Sequence, residues 1–265
     1  MNSVDFAGAK VVYRVDGSGP GLVLVHGTGG DSESNWGHLV EHLAPHWTVV
    51  RPDYSGSGET LDNGEPLTTA VLAAQVVAAA QAAGAVPFDL IGFSLGAAVA
   101  AFISAEYPTL VRSVVLLAGF VSGEDSRQKM QFELWRDLIH FDCKSMARLV
   151  LLTGFSPDFL SGLGDAAVNE NIETIVRSNN WEGMARQVEL DLTIDVRDQA
   201  RRIVKPVLVI GCTHDYMVPA AHARQLAALI PGARYAEMET GHLAPLEQPA
   251  RFIEIVSDFL RGRAS

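Results

Sequence analysis

Residues 88–98 read Phe88-Asp89-Leu90-Ile91-Gly92-Phe93-Ser94-Leu95-Gly96-Ala97-Ala98. The first six residues form a short, mostly apolar run, the pattern of a strand covered on both faces. From Leu95 onward, small and apolar residues continue for a helix length and stop before Pro108. Between strand and helix stands Gly92-x-Ser94-x-Gly96, and that context is what the pattern requires. A serine on so sharp a turn must adopt strained backbone angles, and small neighbours at Gly92 and Gly96 leave the chain room to pack. Its hydroxyl then projects from the carboxyl end of a sheet. The helix amino terminus behind it favours developing negative charge.

Outward from this segment, strands and helices alternate. On the amino-terminal side, residues 10–15, 21–25 and 48–51 read as strands, with a Gly17-Ser18-Gly19-Pro20 turn after the first. Residues 68–83, rich in alanine and valine, read as a helix stopped by Gly84. On the carboxyl-terminal side, residues 113–117, 206–210 and 235–238 read as strands, and 220–229 as a helix. The last helix carries Phe252, Ile255, Val256 and Phe259 on one face. Residues 122–200 break the alternation and show only helical periodicity, as at Met146, Leu149, Val150 and Thr153 with Asp142 as N-cap. The expected fold is α/β: a mostly parallel, doubly wound sheet of about eight strands. Residues 1–121 and 201–265 make its core, and 122–200 form a helical insertion.

Three more segments complete a chemical set. Leu24-Val25-His26-Gly27-Thr28-Gly29-Gly30 follows a buried strand, and its glycines let backbone N–H groups approach a substrate oxygen. With the N–H of Leu95, that of Thr28 is the candidate oxyanion donor. A phosphate loop is the weaker reading, because no Gly-Lys-Ser/Thr follows and the dinucleotide spacing is absent. Asp215 lies just past a strand end, in Gly211-Cys212-Thr213-His214-Asp215, where sites form in open sheets. His242 follows the last strand, in Glu239-Thr240-Gly241-His242-Leu243. A hydroxyl of ordinary pKa needs an imidazole to take its proton, and the imidazole needs a carboxylate to fix its tautomer. The chain order Ser94, Asp215, His242 is the order that chemistry takes on a hydrolase sheet. His26 and His214 read as loop-shaping residues.

On these residues the chain resembles the α/β-hydrolase superfamily, in its capped, single-domain branch, with matches from Leu22 to Phe259. Arg51-Pro52-Asp53-Tyr54-Ser55-Gly56-Ser57-Gly58 is similar to the family's Asp-x-Arg-Gly-x-Gly loop. Ser55 stands where the family has arginine, so no role of that arginine carries over. The resemblance implies a cap over the active site at residues 122–200 and catalysis by Ser94, His242 and Asp215. Haloalkane dehalogenases and epoxide hydrolases of this fold carry an aspartate at the elbow, which Ser94 replaces here. The substrate expected is a small or medium, partly apolar carboxylic ester, thioester or lactone. A carbon–carbon bond hydrolase and a cofactor-free haloperoxidase or perhydrolase would keep the same three residues. So would a natural-product cyclase or a small-ligand receptor on the scaffold.

Composition narrows the partners. The chain has 265 residues, 31 acidic against 20 basic, for a formal net charge of −11. Such a surface repels nucleic-acid phosphates and anionic lipid heads, so neither nucleic acid nor membrane is an expected partner. The two cysteines, Cys143 and Cys212, have no metal-site spacing and read as free thiols. No cofactor and no metal are implied. The amino terminus lacks a basic stretch followed by an apolar one, which points to a cytoplasmic protein. The expected partner is a small acyl substrate. Oligomeric state stays open, a homodimer included.

Overall fold

The computed structural model describes residues 1–6 and 8–262. In chain order, its elements are β1 (Asn2–Phe6), β2 (Ala9–Asp16), β3 (Gly21–Val25) and α1 (Val40–Leu43), then β4 (Thr48–Asp53), β5 (Leu61–Asp62), α2 (Thr69–Ala82), β6 (Phe88–Phe93), α3 (Leu95–Glu106) and β7 (Val111–Leu117). Five helices follow: α4 (Ser126–Phe141), α5 (Cys143–Gly154), α6 (Pro157–Ser178), α7 (Trp181–Thr193) and α8 (Arg197–Arg202). The chain closes with β8 (Val207–Cys212), α9 (Ala220–Leu229), β9 (Arg234–Met238), α10 (Ala244–Glu247) and α11 (Pro249–Arg261).

One sheet runs in the order β1-β2-β4-β3-β6-β7-β8-β9, with β5 paired to β2. From β4 to β9 every pairing on that path is parallel, and β2 joins β1 and β4 antiparallel. This is the mostly parallel sheet expected, with β1 and β5 added at the antiparallel edge. β1 escapes a pattern search because neither of its faces is fully covered.

Side chains of the central strands alternate between two cores, as strand geometry demands. Val23, Val25, Leu90, Val114, Leu116 and Val209 face one core, filled from α2, α3 and α9. Leu22, Leu24, Ile91, Val115, Leu117 and Ile210 face the other, with Trp36, Leu39 and Leu43 and with Phe252, Val256 and Phe259 of α11. Burying each such side chain contributes about 1.5–3 kcal/mol. Two covered faces explain why the central strands read as unbroken apolar runs.

Four of the five helices between β7 and β8 start at side-chain caps. Asp125, Asp142, Ser156 and Asn180 accept from Gln128, Ser145, Phe159 and Gly183 N–H groups at the starts of α4 to α7. α6 breaks at Gly164 (φ 75, ψ 159). Ala147, Leu151, Phe155 and Ile172 make a small core of their own. The ends of the insertion meet in a bridge between Ser122 and Asp195, flanked by Gly123 N–H to Ile194 O and Val196 N–H to Val121 O. α8, beyond that neck, packs on α3 and α9. No helix among the described residues is long and apolar enough to cross a membrane.

Candidate active site

The chain leaves β3 for β4 on one side and later returns to β6 on the other. A crevice therefore opens at the carboxyl ends of β3 and β6, where the winding reverses. Val25 is in register with Gly92, so the loop after β3 lies beside the turn after β6.

Ser94 sits on that turn with φ 55 and ψ −121. A non-glycine residue there stores roughly 1–3 kcal/mol of strain and persists only where its surroundings fix it. Its N–H donates to Leu117 O at 3.0 Å, and its C=O accepts from Ala97 N–H at 2.9 Å. The flanking glycines are required by space. A Cβ on Gly92 would stand 2.2 Å from Gly96 O, and one on Gly96 would stand 2.4 Å from both Val25 O and His26 O.

Asp215 and His242 come from the loops after β8 and β9. Those loops are tied by Thr213 N–H to Met238 O and His214 N–H to Thr240 O, both 2.9 Å. Asp215 Oδ1 accepts the N–H groups of Met217 and Val218 at 2.9 and 2.7 Å. Its Oδ2 lies 2.6 Å from His242 Nδ1. The carboxylate can only accept, so Nδ1 carries the proton and Nε2 is left to act as base. Both side chains are buried, and the Phe93 ring packs 4.8 Å from the imidazole. Ser94 and His242 line one cavity but are not hydrogen-bonded to each other, a contact that commonly tightens only with substrate bound.

In the loop after β3, Gly27 N–H donates to Asn35 Oδ1 at 3.0 Å, Gly29 N–H to Gln187 Oε1 at 2.8 Å and Gly30 N–H to Gly27 O at 3.2 Å. Among these four amides, that of Thr28 alone has no partner within the described residues. Leu95 opens α3, where the first N–H groups lack intrahelical acceptors. Both candidate donors are thus uncommitted and lie next to Ser94.

A family model described as alpha/beta hydrolase fold matches residues 20–249. The chain belongs to the α/β-hydrolase family. Pyrrolizixenacetamide deacetylase of Xenorhabdus hominickii is 60% identical to it over 260 residues, spanning 98% of each chain. The solved enol-lactonase of Burkholderia xenovorans LB400 superposes with a TM-score of 0.87 at 26% identity, covering 98% of this chain and 100% of its own. A bromoperoxidase from Bacillus anthracis shares the fold at a TM-score of 0.84 and 18% identity, over 96% of each chain. Family and relatives together make the protein a hydrolase.

The cavity of this α/β-hydrolase measures about 250 Å³. Ser94, Thr28 and His242 lie on the side of the sheet, facing Phe132 and Trp135 of α4, Leu151 of α5, Ile175 of α6 and Met184 of α7. No Asp, Glu, Lys or Arg side chain is among its described lining residues.

Several polar residues around the site escaped the sequence reading. Thr28 Oγ1 donates to Asp191 Oδ2 at 2.7 Å, and Gln187 Nε2 donates to Ser57 Oγ at 2.7 Å. Glu247 accepts Gly241 N–H, next to His242, and also the N–H and hydroxyl of Ser156. Burial raises Asp191 to about 8, opposed only by the Thr28 hydrogen bond. The one available signal was weak: polar Gln187 and Asp191 share a helical face with Met184 and Val188. His26 is buried and stacks on Tyr54 at 3.9 Å, with burial holding its imidazole below the usual range. His214 is exposed. The buried, stacked His26 fits the structural reading, while His214 ties its loop to the next through its backbone N–H. Ser55, in the arginine position, closes on buried Gln75 through two hydrogen bonds of 2.9 and 2.8 Å. Cys143 and Cys212 are free thiols.

Proposed function

We propose that the protein is a serine hydrolase that removes a short, uncharged acyl group, acetyl first among them, from a neutral and largely apolar carrier. Ser94 Oγ attacks the carbonyl carbon while His242 Nε2 takes the hydroxyl proton. The N–H groups of Thr28 and Leu95 receive the tetrahedral oxyanion, and Asp215 holds the imidazole and stabilises its cation. The tetrahedral intermediate collapses, and His242 gives its proton to the departing alcohol or amine. Water, deprotonated by the same imidazole, then attacks the acyl-enzyme and releases the carboxylic acid and Ser94.

The observation that carries this reading is the strained Ser94 turn opening on the same cavity as an imidazole bound 2.6 Å from a buried carboxylate. Charge-free walls support a neutral substrate, because an ion buried there would lack a partner. The acetyl group is supported by the deacetylase at 60% identity, whose name denotes removal of an acetyl group. Residues 122–200 serve in this reading as the cap whose helices shape the acyl pocket.

A panel of p-nitrophenyl esters of rising chain length tests it, with Ser94→Ala as control. Turnover should fall by at least about 1,000-fold in the variant. Equal activity in the two proteins rejects the serine mechanism.

A further inference from the structure

Helix α7 turns two buried polar side chains, Gln187 and Asp191, away from the substrate cavity and onto the loop after β3. Neither lines the cavity. Gln187 accepts the Gly29 N–H and Asp191 accepts the Thr28 hydroxyl, at 2.8 and 2.7 Å. The start of the helix packs directly on the loop after β4: a Cβ on Gly183 would stand 2.0 Å from Gly56 O. Asp191 Oδ1 has no hydrogen-bond partner among the described residues although the residue is fully buried.

We propose that Asp191, with Gln187 beside it, is a positioning residue for the oxyanion, holding Thr28 from behind so that its uncommitted amide meets the carbonyl oxygen of a substrate on Ser94. This rests on the serine-hydrolase reading. The two contacts occupy the Thr28 side chain and the Gly29 amide, and of the amides of residues 27–30 that of Thr28 alone has no partner among the described residues. A buried carboxyl with an unpartnered oxygen costs stability, so it is a poor choice for a purely structural clamp.

Its charge state matters to the same task. The groups facing it are the Thr28 hydroxyl and, from the loop after β4, the Tyr54 phenol, which itself lies near Asp53. No cation compensates it among the described residues: Arg186 of α7 pairs with Asp62, and Arg136 of α4 reaches Glu189. Burial therefore keeps Asp191 neutral up to about pH 8. Below that pH a neutral carboxyl stands behind the oxyanion. Above it a second negative charge would oppose the one developing on the substrate.

The test measures kcat and KM for p-nitrophenyl acetate between about pH 6 and 10, with thermal melts alongside. The proteins compared are wild type, Asp191→Ala, Asp191→Asn, Thr28→Val and Ser94→Ala. Asp191→Ala should lower kcat roughly 10- to 100-fold with KM within about threefold, the mark of an interaction made in the transition state. Asp191→Asn should restore most of that loss and abolish the wild-type decline above about pH 8. Thr28→Val keeps the amide but not the hydroxyl, and should reproduce the alanine defect even if Asp191→Ala folds poorly. The inference is overturned by wild-type kcat in folded Asp191→Ala or in Thr28→Val, or by an alkaline decline that survives in Asp191→Asn. Turnover indifferent to Ser94→Ala overturns the underlying reading, and this inference with it.

Discussion

At the scale of single residues, the site divides into groups fixed by short-range sequence and groups fixed by the fold. Ser94, Asp215 and His242 lie just past the ends of β6, β8 and β9, where a local pattern marks them. Thr28 and Leu95 follow from the same logic, since a glycine-bearing loop and a helix start expose N–H groups. Asp191 belongs to the second kind. Its folded-state pKa, about 8, is far above the ordinary aspartate value of about 3.9. The folded protein therefore holds that proton where the unfolded chain has lost it. Stability from this group is complete below about pH 4 and is lost as pH rises toward about 8. Asp191→Asn has no proton to lose, so its melting temperature relative to wild type should climb between those values and level off above. A difference independent of pH would show that the carboxyl is not buried uncharged. Residues 184–191 hint at this only through two polar side chains on an otherwise apolar helical face, because the partner of Asp191 lies 163 residues away in the chain.

At the scale of elements, the decisive contact is that of β6 and α3 with β3. The turn carrying Ser94 is tight because glycine at 92 and 96 lets α3 lie almost on the backbone of β3. Gly96→Ala would force its Cβ between Val25 O and His26 O, which are backbone atoms and cannot rotate aside. The expected cost is about 1–3 kcal/mol of stability by overpacking, with loss of activity as the loop after β3 shifts. Urea unfolding and ester turnover check both, and a variant as stable and active as wild type would contradict the packing described. The central strands were legible because burial on both faces writes an unbroken apolar run. β1 and β5 were not: one has no fully buried residue and the other has only two residues. Asp142 was legible as a cap from its place before an amphipathic run, and it caps α5 as expected.

At the scale of the molecule, the loops at the carboxyl ends of the strands carry Ser94, Asp215 and His242, and the helices between β7 and β8 supply most of the apolar wall of the cavity. The order of motifs along the chain is enough to predict the first half. The second half depends on how α4 to α7 pack, which helical periodicity does not encode. Trp135 illustrates the gap: the sequence does not say which aromatics of residues 122–200 reach the pocket, and the structure buries this one against the cavity. Trp135→Ala should enlarge the pocket and raise the kcat/KM ratio of hexanoyl to acetyl esters by roughly 10- to 200-fold, the 1–3 kcal/mol that accommodating even one more methylene is worth in an apolar site. An unchanged ratio would place the acyl chain elsewhere. The proposed chemistry passes an acyl group through the Ser94 oxygen. Mass spectrometry of the protein quenched in acid during turnover of p-nitrophenyl acetate measures this directly. The prediction is one added acetyl on the peptide containing Ser94, absent from Ser94→Ala. Full turnover with no acetyl on that peptide, or with the label on another residue, would contradict it.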